Sequence, residues 1–176
     1  MMTLYEKLIR EVDEKNAEYI LKDHLVQDKI SHLKYSLENP IENYPQFQEK
    51  AKESFKEEVE RVTKGNIYPT NVEVGMGATV HFYSDAHAYT IIKVSKSKKQ
   101  ITIQRDTATL SKDFKPEFIV GGFAGHCTNQ SEQTYTYERN EDGEVYVFRW
   151  SEKKQRYVYK HLNLSGGRRQ FYDYNF

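Results

Sequence analysis

Residues 78–106 read ATVHFYSDAHAYTIIKVSKSKKQITIQRD, and this stretch decides the fold. Apolar and β-branched residues alternate with polar ones over Ala78–Ser84, Ala88–Val94 and Gln100–Asp106, the period of half-buried strands. Ser95-Lys96-Ser97-Lys98-Lys99 has the polar, lysine-rich character of a hairpin turn, and its charges discourage edge-to-edge pairing. The same period returns over Gln133–Arg139, Val145–Trp150 and Arg156–Lys160, with turns at Asn140–Gly143 and Ser151–Lys154. Short sequential strands with tight turns predict an antiparallel meander curled into a small open barrel.

Upstream the period changes. Leu4, Leu8, Val12, Ile20, Leu21, Leu25, Ile30, Leu33 and Leu37 form a helical stripe from about Thr3 to Leu37, which Asn39-Pro40 ends. Phe47, Ala51, Phe55, Val59 and Val62 mark a second helix over Gln46–Lys64, with Pro45 at its entry and Gly65 as its cap. The expected fold is therefore α+β: an N-terminal helical hairpin over residues 1–70, then a β-rich binding domain over residues 71–176. Two readings of the helices stand side by side, packing on their own β-domain or serving as an oligomerisation arm.

Bulk properties narrow the function. The chain of 176 residues carries 26 basic and 26 acidic side chains, which disfavours long nucleic acid, whose affinity comes from neutralising many phosphates. Residues 1–70 hold 11 basic and 14 acidic side chains (−3), and residues 71–176 hold 15 and 12 (+3), so the β-half suits a ligand with one or two phosphates. Fourteen Tyr and nine Phe favour recognition of something flat. Cys127 is the single cysteine, so no intramolecular disulfide or Cys-rich zinc site is expected. Glu6, Lys7, Arg10 and Glu11 interrupt any leader-like apolar run, and no stretch has the length of a membrane span.

Catalytic residues are not expected. His126 and Cys127 are adjacent, so in extended backbone they point apart and cannot form a dyad. A histidine metal site from His81, His87 and His126 lacks a ligand spacing, and the expectation is no metal and no cofactor. The run Gly121–Gly125 matches no phosphate-loop pattern, though curved backbone there could nest an anion. The glycines of Gly75-Met76-Gly77 read first as a bulge or barrel corner. Tyr83 and Asp85 at a strand end would face a ligand, one stacking and one accepting hydroxyl hydrogen bonds, the alternative being that bulge or corner alone. Arg105 beside Asp106 reads as a surface pair or as a phosphate contact. Arg168-Arg169, after Gly166-Gly167 and before Phe171-Tyr172-Asp173-Tyr174, has the forks that bind phosphate and stack on rings.

The segments GMGAT (75–79), YSDAHAYTII (83–92), ITIQRD (101–106), GGFAGHCTNQSEQTYTYERN (121–140) and GGRRQFYDYNF (166–176) together resemble a family of small proteins of bacterial viruses. This is the anti-Thoeris sponge family, "Thoeris anti-defence one". The resemblance runs from about Val74 to the C-terminus and leaves the helices outside it. It implies a non-enzymatic protein in the cytoplasm of the infected host. Such a protein binds cyclic ADP-ribose-type immune signals, and in some members cyclic oligonucleotides at a separate site, without cleaving them. It also implies homo-oligomers with ligand sites between subunits. Carried onto this chain, Tyr83 would stack on adenine where a tryptophan is expected, Arg105, Arg168 and Arg169 would hold the pyrophosphate, and Asn129 would meet ribose. The competing expectations are a viral inhibitor that binds a host defence protein or nuclease through the helical arm, and a nucleotide-processing enzyme using His126 and Cys127.

Overall fold

The structure, a computed structural model, describes residues 2–39, 45–121 and 125–175. The fold is α+β, with helices α1 (Leu4–Asp13), α2 (Ala17–Lys22), α3 (His24–Glu38) and α4 (Pro45–Thr63) preceding an antiparallel sheet. The chain divides into two compact units, one of residues 1–71 with 151–156 and one of residues 72–150 with 157–176. No described helix is long and apolar enough to cross a membrane.

In the first unit the predicted continuous helix over Thr3–Leu37 is three helices. Thr3 opens α1 with a capping box, its hydroxyl taking the Glu6 N–H while the Glu6 carboxylate takes the Thr3 N–H at 2.7 Å. After α1 the Asp13 carboxylate bonds both the backbone and the side-chain amide of Asn16, and Asn16 in turn accepts the Thr70 hydroxyl. The second break is at Asp23, whose backbone is extended (ψ 102°). Its carboxylate caps α3 through the Leu25 and Val26 N–H groups and receives Arg156 Nη2 at 2.9 and 3.0 Å. Short acidic side chains compete with the backbone in this way, and apolar periodicity alone cannot register it. Leu8, Ile9, Ile20, Ile30, Phe55 and Val59 are buried. Tyr19 stacks on Tyr68 at 5.5 Å.

The strands, which but for Ser151 and Arg156 belong to the second unit, are β1 (Gly77–His81), β2 (Ala86–Val94), β3 (Gln100–Arg105), β4 (Thr107–Leu110), β5 (Phe118–Ile119), β6 (His126–Cys127), β7 (Tyr135–Glu138), β8 (Val145–Ser151), β9 (Arg156–Val158) and β10 (Asn163–Gly166). Six of them form one sheet in the order β10-β1-β2-β3-β8-β9, and β4-β7 and β5-β6 are separate ribbons. The expected meander is thus interrupted. β4, β5, β6 and β10 extend the predicted strand set, and β10 returns to pair with β1.

The sheet curls because its connection demands it. Laid flat, its two edges would lie five strand spacings, about 24 Å, apart. The link from Val158 to Asn163 has four residues, which reach at most about 17 Å, and Tyr159 and Leu162 bridge within it. The result is a nearly closed, barrel-like sheet. One face carries the apolar core, with Ala78, Val80, Tyr89, Ile91, Ile101, Ile103 and Phe148 fully buried. The other face is polar and also buried: Thr79, Thr90, Gln104 and Asp106 lie on it.

Candidate functional site

A buried polar face needs partners, and the C-terminal tail supplies them. Residues 167–175 run as a strap along this unit. Thr79 donates to the Gly167 carbonyl at 2.8 Å, and Ala86 and Phe171 exchange backbone hydrogen bonds. Further along, Tyr137 Oη accepts the Gln170 N–H, Gln133 holds both the N–H and the carbonyl of Tyr172, Asp85 accepts the Asp173 N–H at 3.0 Å, and Gln130 accepts the Tyr174 N–H.

The centre of this arrangement is Asp106, whose side chain has no exposed surface. The Thr90 hydroxyl lies 2.9 and 2.8 Å from its two oxygens, Arg168 Nε donates to it at 2.8 Å, and Arg139 Nη1 approaches at 3.4 Å. Arg168 Nη2 also donates to the Thr90 oxygen at 2.8 Å, and Arg139 Nη2 donates to Gln104 Oε1 at 3.0 Å. Both guanidiniums are part open to solvent, at 35% and 42%. They border a cleft of about 310 Å³ with Val74, Gly75, Thr90 and Ile92. Two arginines share one carboxylate, so one positive charge is left facing the cleft. Gly77 makes this possible: a Cβ there would stand 2.7 Å from Arg168 Cγ and 3.1 Å from its backbone nitrogen.

The residues expected at a ligand site do not gather in one place. Arg105 and Asp106 are adjacent in the chain but face opposite sides of the sheet, so the surface pair predicted between them does not form. Arg105 turns to His87, with Nη2 3.2 Å from Nδ1, and Asp106 turns to Arg168. Tyr83 is 96% exposed at the tip of the β1–β2 turn. Asp85 fastens the strap, as above. Asn129 is consumed by its own loop: its oxygen accepts the Glu117 N–H at 2.9 Å and its amide donates to the Lys115 carbonyl at 3.0 Å. Arg169 lies over the Phe171 ring at 5.9 Å.

Other expectations resolve locally. His126 is exposed and Cys127 buried, pointing apart as extended neighbours do. Of the many aromatics, Tyr159 stacks on Tyr146 at 5.0 Å and Tyr157 meets Trp150 edge-on at 5.2 Å. Of the glycine-rich run 121–125, residues 122–124 lie outside the described residues. Among the described residues no group of three or more His, Cys, Asp or Glu side chains could hold a metal ion.

Asp106, Arg139, Thr90 and Gln104 are the participants that reading the sequence misses. Their signal is a register signal: Thr90 sits opposite Gln104, and the Asp106 N–H bonds the Ala88 carbonyl. Polar residues thereby line the face opposite Ile91, Ile101 and Ile103, and a strip of this kind between apolar neighbours needs a charged partner. No protein-family model, curated protein or solved structure matches this chain.

Proposed function

We propose that the protein is a non-catalytic binder that captures a phosphate-bearing, cyclic ADP-ribose-type signal at the Arg139–Arg168 cleft. The observation that carries this reading is the charge imbalance there: two part-exposed guanidiniums held by one buried carboxylate. Guanidinium forks match phosphate oxygens bidentately, and an arginine already oriented by Asp106 and Thr90 loses little freedom on binding. The cleft volume of about 310 Å³ is at the small end for ligand pockets. It accommodates the phosphate-ribose part of a dinucleotide, leaving a base to stack on an exposed aromatic or on a second subunit. The resemblance of residues 74–176 to the anti-Thoeris sponge family supplies the ligand class, the homo-oligomer and the role. In that role a virus protein in the host cytoplasm withholds an immune signal from its effector.

The test is titration of the purified protein with cyclic ADP-ribose isomers by calorimetry, followed by heat release and mass analysis. The expected outcome is ligand recovered intact, with binding weakened at least about tenfold by Arg139→Ala, which removes an ion–phosphate bond. Tyr83→Ala should weaken binding by about 1–3 kcal/mol if Tyr83 carries the base. Recovery of a cleaved product, or affinity indifferent to Arg139, would overturn the proposal.

A further inference from the structure

His87 holds the strap through an unusual convergence of donors. Its Nδ1 faces Arg105 Nη2 at 3.2 Å and Gln170 Nε2 at 2.9 Å. The Gln170 amide can be oriented only one way, because its oxygen accepts the Ala88 N–H at 3.3 Å, which turns its NH2 towards the imidazole. A guanidinium does not give up its protons, so both neighbours are donors and Nδ1 must offer a lone pair. His87 is therefore neutral, with its proton on Nε2.

The surroundings agree. From β3 comes Arg105, from the turn before β2 Asp85, from the loop before β8 Glu144, and the Phe82 ring meets the imidazole edge-on at 5.0 Å. Burial, then the Arg105 charge, hold the His87 pKa below its ordinary value, against the opposite pull of the Asp85 and Glu144 charges. Burial outweighs the carboxylates because neither makes a hydrogen bond to the ring.

We propose that His87 is an acid-sensitive latch for the C-terminal strap: a proton on Nδ1 faces two donors, expels Arg105 and Gln170, and loosens the strap together with Arg168. The sign follows from linkage. A histidine kept neutral by the fold contributes fully above its unfolded pKa of about 6.5, and the contribution is lost as pH falls through the depressed native value. If the cleft captures its ligand as proposed, capture weakens on acidification, because Arg168 lies two residues before Gln170.

Amide hydrogen exchange of residues 168–175 in the full-length protein, corrected for intrinsic rates, tests the latch. Exchange should be at least about tenfold faster at about pH 5 than at about pH 7.5, as in local opening. His87→Asn places a non-titrating acceptor near the Nδ1 position and should abolish that difference. His81→Gln should preserve it, since His81 bonds Ser165 Oγ at 2.8 Å and meets the strap only through the Arg169 charge, without a hydrogen bond to it. Imidazole 15N shifts of the wild-type protein should report an Nε2–H tautomer at neutral pH and need no variant. Strap exchange indifferent to pH, or a proton on Nδ1 at neutral pH, would overturn the latch. Neither readout needs ligand, so a strap that opens in acid on a protein that binds no signal would defeat the proposed function alone.

Discussion

Arg168 Nε donates to Oδ2 of Asp106 at 2.8 Å, joining the tail to a strand end 62 residues earlier. The Asp106 side chain exposes nothing to solvent. A carboxylate so placed is tolerable only while its partners stay, and its partners come from β2, the segment after β7 and the strap. The pair is both a fastening for the tail and the origin of the charge that faces the cleft.

Removing Arg168 should therefore cost stability as well as charge. Arg168→Ala leaves Asp106 with the Thr90 hydroxyl and a distant Arg139, and we expect a loss of about 2–3 kcal/mol. This is less than for a wholly buried pair because the guanidinium is part exposed. Arg168→Lys should recover only part of it, since one ammonium replaces a fork that reaches Asp106 and Thr90 together. Urea unfolding measures both. A loss below about 0.5 kcal/mol for Arg168→Ala would mean the pair behaves as a solvated surface contact.

Gly77→Ala acts on the same pair through space. The added methyl would meet Arg168 Cγ at 2.7 Å, and we expect about 1–3 kcal/mol of destabilisation by overcrowding. In an Arg168→Ala background the side-chain clash disappears, so the same substitution should cost clearly less. Strict additivity in this double-mutant cycle would show that the methyl is accommodated elsewhere.

What was legible in the sequence is the part governed by local period. The β2–β3 hairpin announces itself by alternation on both sides of Ser95–Lys99, and α4 by its apolar stripe from Phe47 to Val62. β10 (Asn163–Gly166) carries no strand-like alternation, because its pairing with β1 comes from chain return and not from its own side chains. The same limit hid Asp106. Beside Arg105 it reads as half of a surface pair, and only the register with Ala88 and Thr90 shows that the two neighbours face apart. Asn129 enters through the resemblance alone, which cannot tell that its side-chain amide is already committed to Glu117 and Lys115.

In the helical unit Asp23 both caps α3 and pairs with Arg156. Asp23→Ala removes a cap worth about 1 kcal/mol and leaves the Arg156 guanidinium without its carboxylate partner. We expect about 2–3 kcal/mol in total, discounted because Arg156 is 30% exposed. Asp23→Asn should retain much of the cap and lose the ion pair, which separates the two contributions in a thermal melt. Equal midpoints for the alanine and asparagine variants would assign the whole effect to the pair.

Gly143→Ala tests whether Arg139 is aimed from a distance. A Cβ at residue 143 would stand 2.1 Å from the Arg105 carbonyl oxygen, so the Asn140–Gly143 turn must move. Carbonyls of that turn accept Gln104 Nε2, from Glu141 at 2.6 Å and Gly143 at 3.4 Å, and Gln104 Oε1 in turn receives Arg139 Nη2. Moving the turn therefore releases the amide that orients the guanidinium. We expect Gly143→Ala to lose about 2 kcal/mol of stability, by the cost of a forced backbone shift, and to weaken anion binding at the cleft several-fold. Gln104→Ala removes the same relay without the clash and should reproduce the binding loss. Calorimetry with pyrophosphate, beside a urea melt of each variant, distinguishes the two effects. A destabilised Gly143→Ala protein that binds pyrophosphate as tightly as wild type would show that Arg139 is held by Asp106 alone, and that the turn plays no part in the cleft.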